Sequence, residues 1–454
     1  MIATLLIIGA TGDLTSRLLI PALARLRACD ALPTGFRLIG AAFDDWTDDE
    51  FRTHVHRAAA DDTGDDVGQW LAGTAAYRQL DVTDADAVRR VVTDIARGGG
   101  ALGVYIALPT ALVESALDAL SGTALPEGSR VAVEKPFGTD ERNARQLNAF
   151  LLRAVGDAGE AGTYRVDHAL GMTNVHNLLT FRVSNSLIAA TWNHENIEQI
   201  DVLWDETLAL EGRASYYDKA GALRDVMQNH MTQVLCVAAM EPPTTSASAD
   251  IHAAKLALLR KTRAAQRPDG TFKAHRARYT SGVLPDGTPV PDYVNEPGVD
   301  PERQTETLAE VHLEIDTPRW RGTRFVMRAG KALPERRKGL VVHYAGAHQT
   351  LWVGIDGPDD IRLEMLGSSL GPPAGNQPLS LSAPVPPAAL PPYGYVLSDF
   401  LTGGQEYSVT GDEAVEAWRI FDPVLRQWDS GLLPLGTYPA GAQVPIAHDP
   451  GPAR

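Results

Sequence analysis

The sequence predicts a chain in two parts. A doubly wound α/β domain of Rossmann type comes first, and an α+β domain with a large antiparallel sheet follows. Three observations predict this. Apolar runs alternate with helical patterns over the first 150 residues or so, as in a parallel sheet covered on both faces. A glycine loop, Gly9-Ala-Thr-Gly12, follows the first run and opens a helix. From about residue 176 apolar and polar residues alternate, as half-buried strands require. The division is placed at 1–162 and 163–454, and the second part is expected to bind substrate and to dimerise.

The elements are read in order. Residues 3–9 form a continuous apolar run ending at a glycine turn, which suits a buried strand. Leu18, Leu19, Ala22, Leu23 and Leu26 recur at helical spacing. A second strand is expected near Phe36–Ala42 and a helix around Asp48–Ala60. Tyr77–Val82 and Asp84–Ala96 read as strand and helix. VYIALP (104–109) is a strand ending at a proline, Ala111–Leu120 is helical, and RVAVEKP (130–136) is a strand ending at a second proline. In the second part, strands are expected at Leu178–Arg182, Glu198–Leu203, Glu310–Ile315 and Arg324–Arg328. Helices are expected at Gly221–Met240, Ile251–Arg263 and Glu413–Trp428. Residues 264–305 read as irregular surface structure, and the proline-rich 368–393 as a surface loop. The last dozen residues read as disordered.

The 454 residues carry a net charge of −16. That balance argues against a nucleic-acid surface, so an anion site must be a local concentration of cations. Cys29 and Cys236 sit in apolar helical contexts and read as reduced core residues, as expected of a cytoplasmic protein. With no basic leader and no apolar stretch near 18 residues, neither secretion nor membrane insertion is expected. The scattered His and Cys show no metal-ligand spacing, so no metal site is expected.

Chemistry concentrates at the strand ends. In the loop Gly9, Ala10, Thr11, Gly12, Asp13, Leu14, the first glycine permits a tight turn. The second admits a phosphate close to the backbone at a helix N-terminus. A plain strand–helix turn is the alternative. After the second strand come Phe43, Asp44 and Asp45, where this fold meets the adenosine ribose. A carboxylate there accepts from the 2′-hydroxyl, whereas a 2′-phosphate needs a cation. A solvated acidic loop is the alternative. The proline-ended strands bring Tyr105, Ala107, Leu108 and Pro109, and then Glu134–Phe137, to the edge where ligands bind in open α/β folds.

RVDHALGMTNV (165–175) resembles RIDHYLGK, the signature of glucose-6-phosphate dehydrogenases, with Ala169 in place of Tyr and Met172 in place of Lys. GATGDLTSRLLIPAL, VEKPFG, YYDKAGALRDVMQNH, FVMRAGKALPERRKG and EAWRIFDPVL resemble further blocks of that family in the same order. The resemblance implies roles. His230 is the base that takes the C1 hydroxyl proton, and Asp167 orients it. Lys135 contacts both sugar and cofactor. His168 meets the phosphate, Glu206 and Asp225 meet sugar hydroxyls, and Lys331 and Arg336 supply positive charge at the sugar's far end. Asp225 paired with Arg224 or Arg213 in a structural ion pair is the alternative. Phe43 stands where NADP-using members carry Arg, which implies NAD or NADP as cofactor with NAD favoured.

A pentose-phosphate-type sugar 1-dehydrogenase acting on a hexose 6-phosphate is therefore the expectation, as a homodimer or homotetramer. Ala169 and Met172 keep open an unphosphorylated or 6-modified aldose. A catalytically silent sugar- or nucleotide-binding relative is the alternative of another class.

Overall fold

The computed structural model describes residues 1–212, 214–346, 349–356, 360–368 and 375–446. It divides into two compact units. The first comprises Met1–Met172, Pro243–Ala253 and Ala388–Val415. The second comprises Thr173–Pro242, Ala254–Pro387 and Glu416–Arg454.

The first unit is built on six parallel strands: β1 (Thr4–Ile8), β2 (Arg37–Ala42), β3 (Ala75–Gln79), β4 (Leu102–Ile106), β5 (Arg130–Val133) and β6 (Thr163–Val166). Their order is β6-β5-β4-β1-β2-β3, and the short antiparallel strand Ser408–Val409 closes the β6 edge. Every residue of β1 and β4 is buried, as expected of central strands covered on both faces. Three of the crossover helices start at side-chain caps. Thr47 and Glu50 form a capping box, and Asp84 and Asp140 accept from first-turn amides. Helix Pro392–Thr402 returns to this unit late in the chain. It packs Tyr393, Val396, Leu397, Phe400 and Leu401 into the core that holds Leu5, Ile7 and Tyr105.

The second unit is built on a ten-stranded sheet. Its centre is the strand Ile197–Asp205, parallel to Arg324–Gly330 on one side and antiparallel to Arg337–Tyr344 on the other. Antiparallel pairings predominate outward, through Thr350–Gly354, Asp360–Ser368 and the edge strand Asn376–Pro384. Among the described residues no helix is long and apolar enough to cross a membrane.

Four expectations are corrected. Leu178–Arg182 lies in helix Thr173–Ser184, not in a strand. Arg182 is buried there, donating to the Val237 and Met240 carbonyls, so a charged residue occupies an inward position and mimics strand alternation. Residues 264–305 are not wholly irregular, because Ala274–Thr280 is a sheet strand. Its arginines disguised it: Arg276 is buried and donates to Trp428 O at 2.7 Å. The proline-rich stretch contains the strand Asn376–Pro384, tolerated because an edge strand needs only one row of ladder bonds. Cys29 is exposed just beyond helix Ile20–Ala28, whereas Cys236 is buried. Of the terminal dozen, residues 447–454 lie outside the described residues.

Candidate active site

In the first unit, parallel register sets the ligand edge. β2, β1, β4 and β5 are neighbours, so the segments that follow them emerge side by side. Gly9 has φ +95°, and a Cβ there would lie 2.2 Å from Ala107 O. Only glycine lets the loop lie this close to the end of β4. Gly12 N donates to Gly9 O at 3.1 Å, and Ser16 N to Gly12 O at 3.1 Å, so the helix opens directly out of the loop. Its first-turn amides have no acceptor within the helix and suit a pyrophosphate.

The segment after β2 is equally defined. Thr11 Oγ1 donates to Asp44 Oδ2 at 2.6 Å, tying the carboxylate after β2 to the phosphate loop. Tyr77 Oη donates to Asp44 O at 2.7 Å and fixes that backbone. Phe43 is 74% exposed, an uncharged ring presented to solvent.

After β5 comes Glu134-Lys135-Pro136-Phe137, with a cis Lys135–Pro136 bond. Arg165 anchors this turn. Its guanidinium lies 5.0 Å from the Phe137 ring centroid, and bonds Asn148, Glu160, Thr163 and Val409. The motif arginine is thus a buried tie between β6, the Lys135 turn and the Ser408–Val409 edge. Asp167 is buried, and its Oδ1 accepts from Ala169 N at 3.1 Å, which shapes the following turn. The His168 ring stacks on Tyr393 with centroids 5.0 Å apart. Ala169 is wholly buried and Met172 nearly so. A Cβ on Gly171 would meet Pro392 O at 2.7 Å, so this turn is packed tightly under helix Pro392–Thr402.

The second unit carries the other group of residues. Parallel register pairs Gly330 with Asp205, so Glu206 and Lys331 leave adjacent strands at the same level. Lys331 Nζ is 2.5 Å from Glu206 Oε2, and Lys338 Nζ is 2.9 Å from Glu206 Oε1. Burial pushes the Glu206 carboxyl up, but the two ammonium groups more than reverse this and hold it below its ordinary range. Arg336 is half-exposed and pairs with Asp356 at 2.8 Å. Asp225 accepts from Tyr216 Oη at 3.4 Å. Arg213, weighed as its partner, lies outside the described residues.

His230 is buried, its ring centroid 5.9 Å from that of Trp204. At helical spacing Leu223, Val226, Met227 and His230 would share one apolar face. Instead Met227, Gln228, Asn229, His230 and Met231 are all buried along a wide helical turn, Leu223–Met231.

Sequence reasoning missed two residues here. Lys338 shares Glu206 with Lys331, and its position in the basic run KALPERRKG was the available signal. Tyr217 is buried with its ring 5.1 Å from Lys331 Nζ, and its hydroxyl has no hydrogen-bond partner among the described residues. A phenol at helical spacing reads as core, so nothing in the sequence set it apart.

A glycine loop that opens a helix, a tethered carboxylate after β2 and a lysine after β5, at one edge of a doubly wound sheet, are the arrangement of the nicotinamide-dinucleotide oxidoreductases. Comparison with known proteins sharpens that class. The family described as "Glucose-6-phosphate dehydrogenase, NAD binding domain" matches residues 6–177, and "Glucose-6-phosphate dehydrogenase, C-terminal domain" matches residues 179–450. The glucose-6-phosphate 1-dehydrogenase of Treponema pallidum (strain Nichols) is 33% identical, over 98% of this chain and 92% of its own length. That of Mycolicibacterium smegmatis is 32% identical, over 97% and 94%. A solved glucose-6-phosphate dehydrogenase in complex with its substrate glucose-6-phosphate superposes with a TM-score of 0.86 at 27% identity, covering 97% of this chain and 95% of that one. The chain belongs to the glucose-6-phosphate dehydrogenase family.

Proposed function

We propose that the protein oxidises the C1 hydroxyl of a pyranose, a hexose 6-phosphate foremost, to a δ-lactone. Retention of Lys135, Asp167 and His230 together carries this reading, because a silent relative has no need to keep all three. His230 accepts the proton of the C1 hydroxyl as that carbon becomes a carbonyl. Asp167 is assigned the orientation of the base and the support of its charged form. Glu206 and Asp225 accept from sugar hydroxyls, and Lys135 contacts sugar and cofactor. His168, Lys331 and Arg336 meet the 6-phosphate. The bound nicotinamide supplies a hydride acceptor.

NAD is favoured over NADP, on the strength of Phe43 and the tethered Asp44. A homodimer or homotetramer formed through the large sheet is supported by the hairpin Asp360–Ser368/Asn376–Pro384. There Leu363 faces Leu381 and Met365 faces Leu379, and Leu379 and Leu381 are exposed. The protein is placed in the cytoplasm, where its two free thiols stay reduced.

Ala169 and Met172 favour a second reading, an aldose without the phosphate. A panel of glucose, glucose 6-phosphate and other aldoses, each with NAD and with NADP, followed at 340 nm, tests both. Reduction with glucose but not glucose 6-phosphate selects the second. No reduction with any sugar overturns both and leaves a silent relative.

A further inference from the structure

The strand Ile197–Asp205 ends between two lysines. Its register sets Asp205 against Gly330 on one neighbour and against Arg337 on the other, so Lys331 and Lys338 reach the strand end from both sides. Glu206 is the next residue, and its backbone is fixed. Glu206 N donates to Gly330 O at 2.8 Å, and Leu333 N donates to Glu206 O at 3.0 Å. Its carboxyl group is gripped at both oxygens. Lys331 Nζ donates to Oε2 at 2.5 Å, and Lys338 Nζ lies 2.9 Å from Oε1. Lys338 is held in turn. Its Nζ donates to Asp356 Oδ2 at 3.0 Å and stands 4.8 Å from the centroid of the Trp204 ring, the ring beside His230.

One ammonium is enough to balance Glu206, and Lys331 supplies it. The second does what a single pair does not. The last torsion of a glutamate side chain is soft, so a carboxylate held at one oxygen swings. Held at both, it does not. An ionised carboxyl has about four acceptor sites. The Glu206 side chain is 23% exposed, so the sites left over face a ligand in fixed directions.

We propose that Lys338 is a positioning residue that, through Glu206, sets which sugar configuration is accepted: with Lys331 it locks the Glu206 carboxylate, whose remaining lone pairs then match hydroxyls of one configuration. This rests on Glu206 accepting from sugar hydroxyls as assigned above. An epimer whose hydroxyl points elsewhere leaves a desolvated carboxylate unpaired, and a rigid site rejects it for that reason. A carboxylate free to swing follows the misplaced hydroxyl and discriminates less.

The decisive variant is Lys338→Met, which keeps an apolar stem across Trp204 and removes the charge. Lys338→Arg keeps the charge. Initial rates are compared for glucose 6-phosphate and its C2, C3 and C4 epimers, or for the free sugars if those are what the protein oxidises. In Lys338→Met, kcat/KM for the preferred sugar is expected to fall about ten- to hundred-fold, the size of a lost contact to a charged group. Preference over the epimer at one centre should fall about ten-fold or more, and Lys338→Arg should restore most of both. A purely structural role lowers all epimers alike, so discrimination within two-fold of wild type at every centre overturns the proposal. A second readout needs no sugar. Carbodiimide coupling of glycinamide to Glu206 at pH 6, read by peptide mass spectrometry, requires the protonated carboxyl. Losing a nearby positive charge raises a carboxyl pKa, so the coupling should be roughly five- to ten-fold faster in Lys338→Met. Equal coupling overturns the hold of Lys338 on Glu206. Faster coupling with no sugar oxidised places the failure in the sugar-binding role of Glu206 instead. If Lys338→Met does not fold, Lys338→Gln takes its place in both measurements.

Discussion

The cofactor preference can be worked from two atoms. Asp44 Oδ2 is bound to Thr11 Oγ1 at 2.6 Å, so the carboxylate cannot swing freely away from the phosphate loop. A 2′-phosphate held at about 5 Å from it, in the dielectric of water, is repelled by roughly 1.7 kcal/mol as a dianion. That is about twenty-fold in affinity, and somewhat less at ~0.1 M salt. Asp44→Ala should therefore improve the NADP-to-NAD ratio of kcat/KM by about ten- to twenty-fold, part of it from losing the acceptor for the NAD 2′-hydroxyl. Phe43→Arg adds a cation at an exposed site. One charge-assisted contact, roughly 1.5–3 kcal/mol, predicts a further ten- to hundred-fold shift towards NADP. The two positions are adjacent, so the double variant must be measured and not summed. Initial rates with both cofactors, together with calorimetric dissociation constants for NADP and NAD without sugar, give the numbers. A wild-type protein that prefers NADP ten-fold would refute the reasoning, as would an Asp44→Ala ratio within two-fold of wild type.

Other consequences follow from the same geometry. His230→Asn should lower kcat by about 10²–10⁴ with little change in sugar KM, and near-native turnover would remove His230 from the chemistry. Met172→Lys, at a nearly buried position beside the wholly buried Ala169, should raise kcat/KM for glucose 6-phosphate by about ten-fold or more and leave glucose unchanged. No gain would mean that other residues hold the phosphate. Glu134, directly after β5, bears on stability, because burial pushes its carboxyl up. Its folded pKa, about 7, lies above the ordinary 4.5, so the folded protein holds an extra proton between those values. Wild-type stability relative to a neutral side chain therefore falls as pH rises through that window, then levels off. Glu134→Gln should match wild type near pH 4.5 and exceed it at pH 8 by on the order of 1–3 kcal/mol, read as a higher thermal midpoint. A lower midpoint at pH 8 would contradict this.

What was legible in the sequence was what depends on local pattern. Continuous apolar runs gave β1 and β4, and glycine spacing gave the turn from β1 into its helix. The two prolines marked the segments that follow β4 and β5. The misses share a cause. Arg182 and Arg276 are charged but buried, because backbone carbonyls of distant segments satisfy their guanidinium groups. Periodicity counts such residues as outward-facing, so one helix was read as a strand and one strand as a loop. The same blindness covers Lys338, whose value lies in sharing Glu206 with a lysine on another strand. It covers Arg165 too, which stands inside the signature yet serves as a tie. Pairing across strands is a property of register, and register is not written in any one segment.

The first unit draws on three separate stretches of chain, and this bears on how it is made. Residues 388–415 supply helix Pro392–Thr402 and the strand that closes β6. Ile2 N donates to Leu401 O, and Arg130 to the Gly403 and Gly404 carbonyls, so the first strand and the late helix hold each other. On the ribosome, domains fold as units once their sequence has emerged. Here the part begun first is finished almost last. While about 200 residues of the second unit appear, β6 waits with an open edge and Leu5, Ile7 and Tyr105 lack the wall that Phe400 and Leu397 provide. A fragment cut at residue 172, though it contains every strand of the parallel sheet, leaves its own core uncovered. An exposed edge beside uncovered apolar surface is the condition under which chains pair with one another instead of folding.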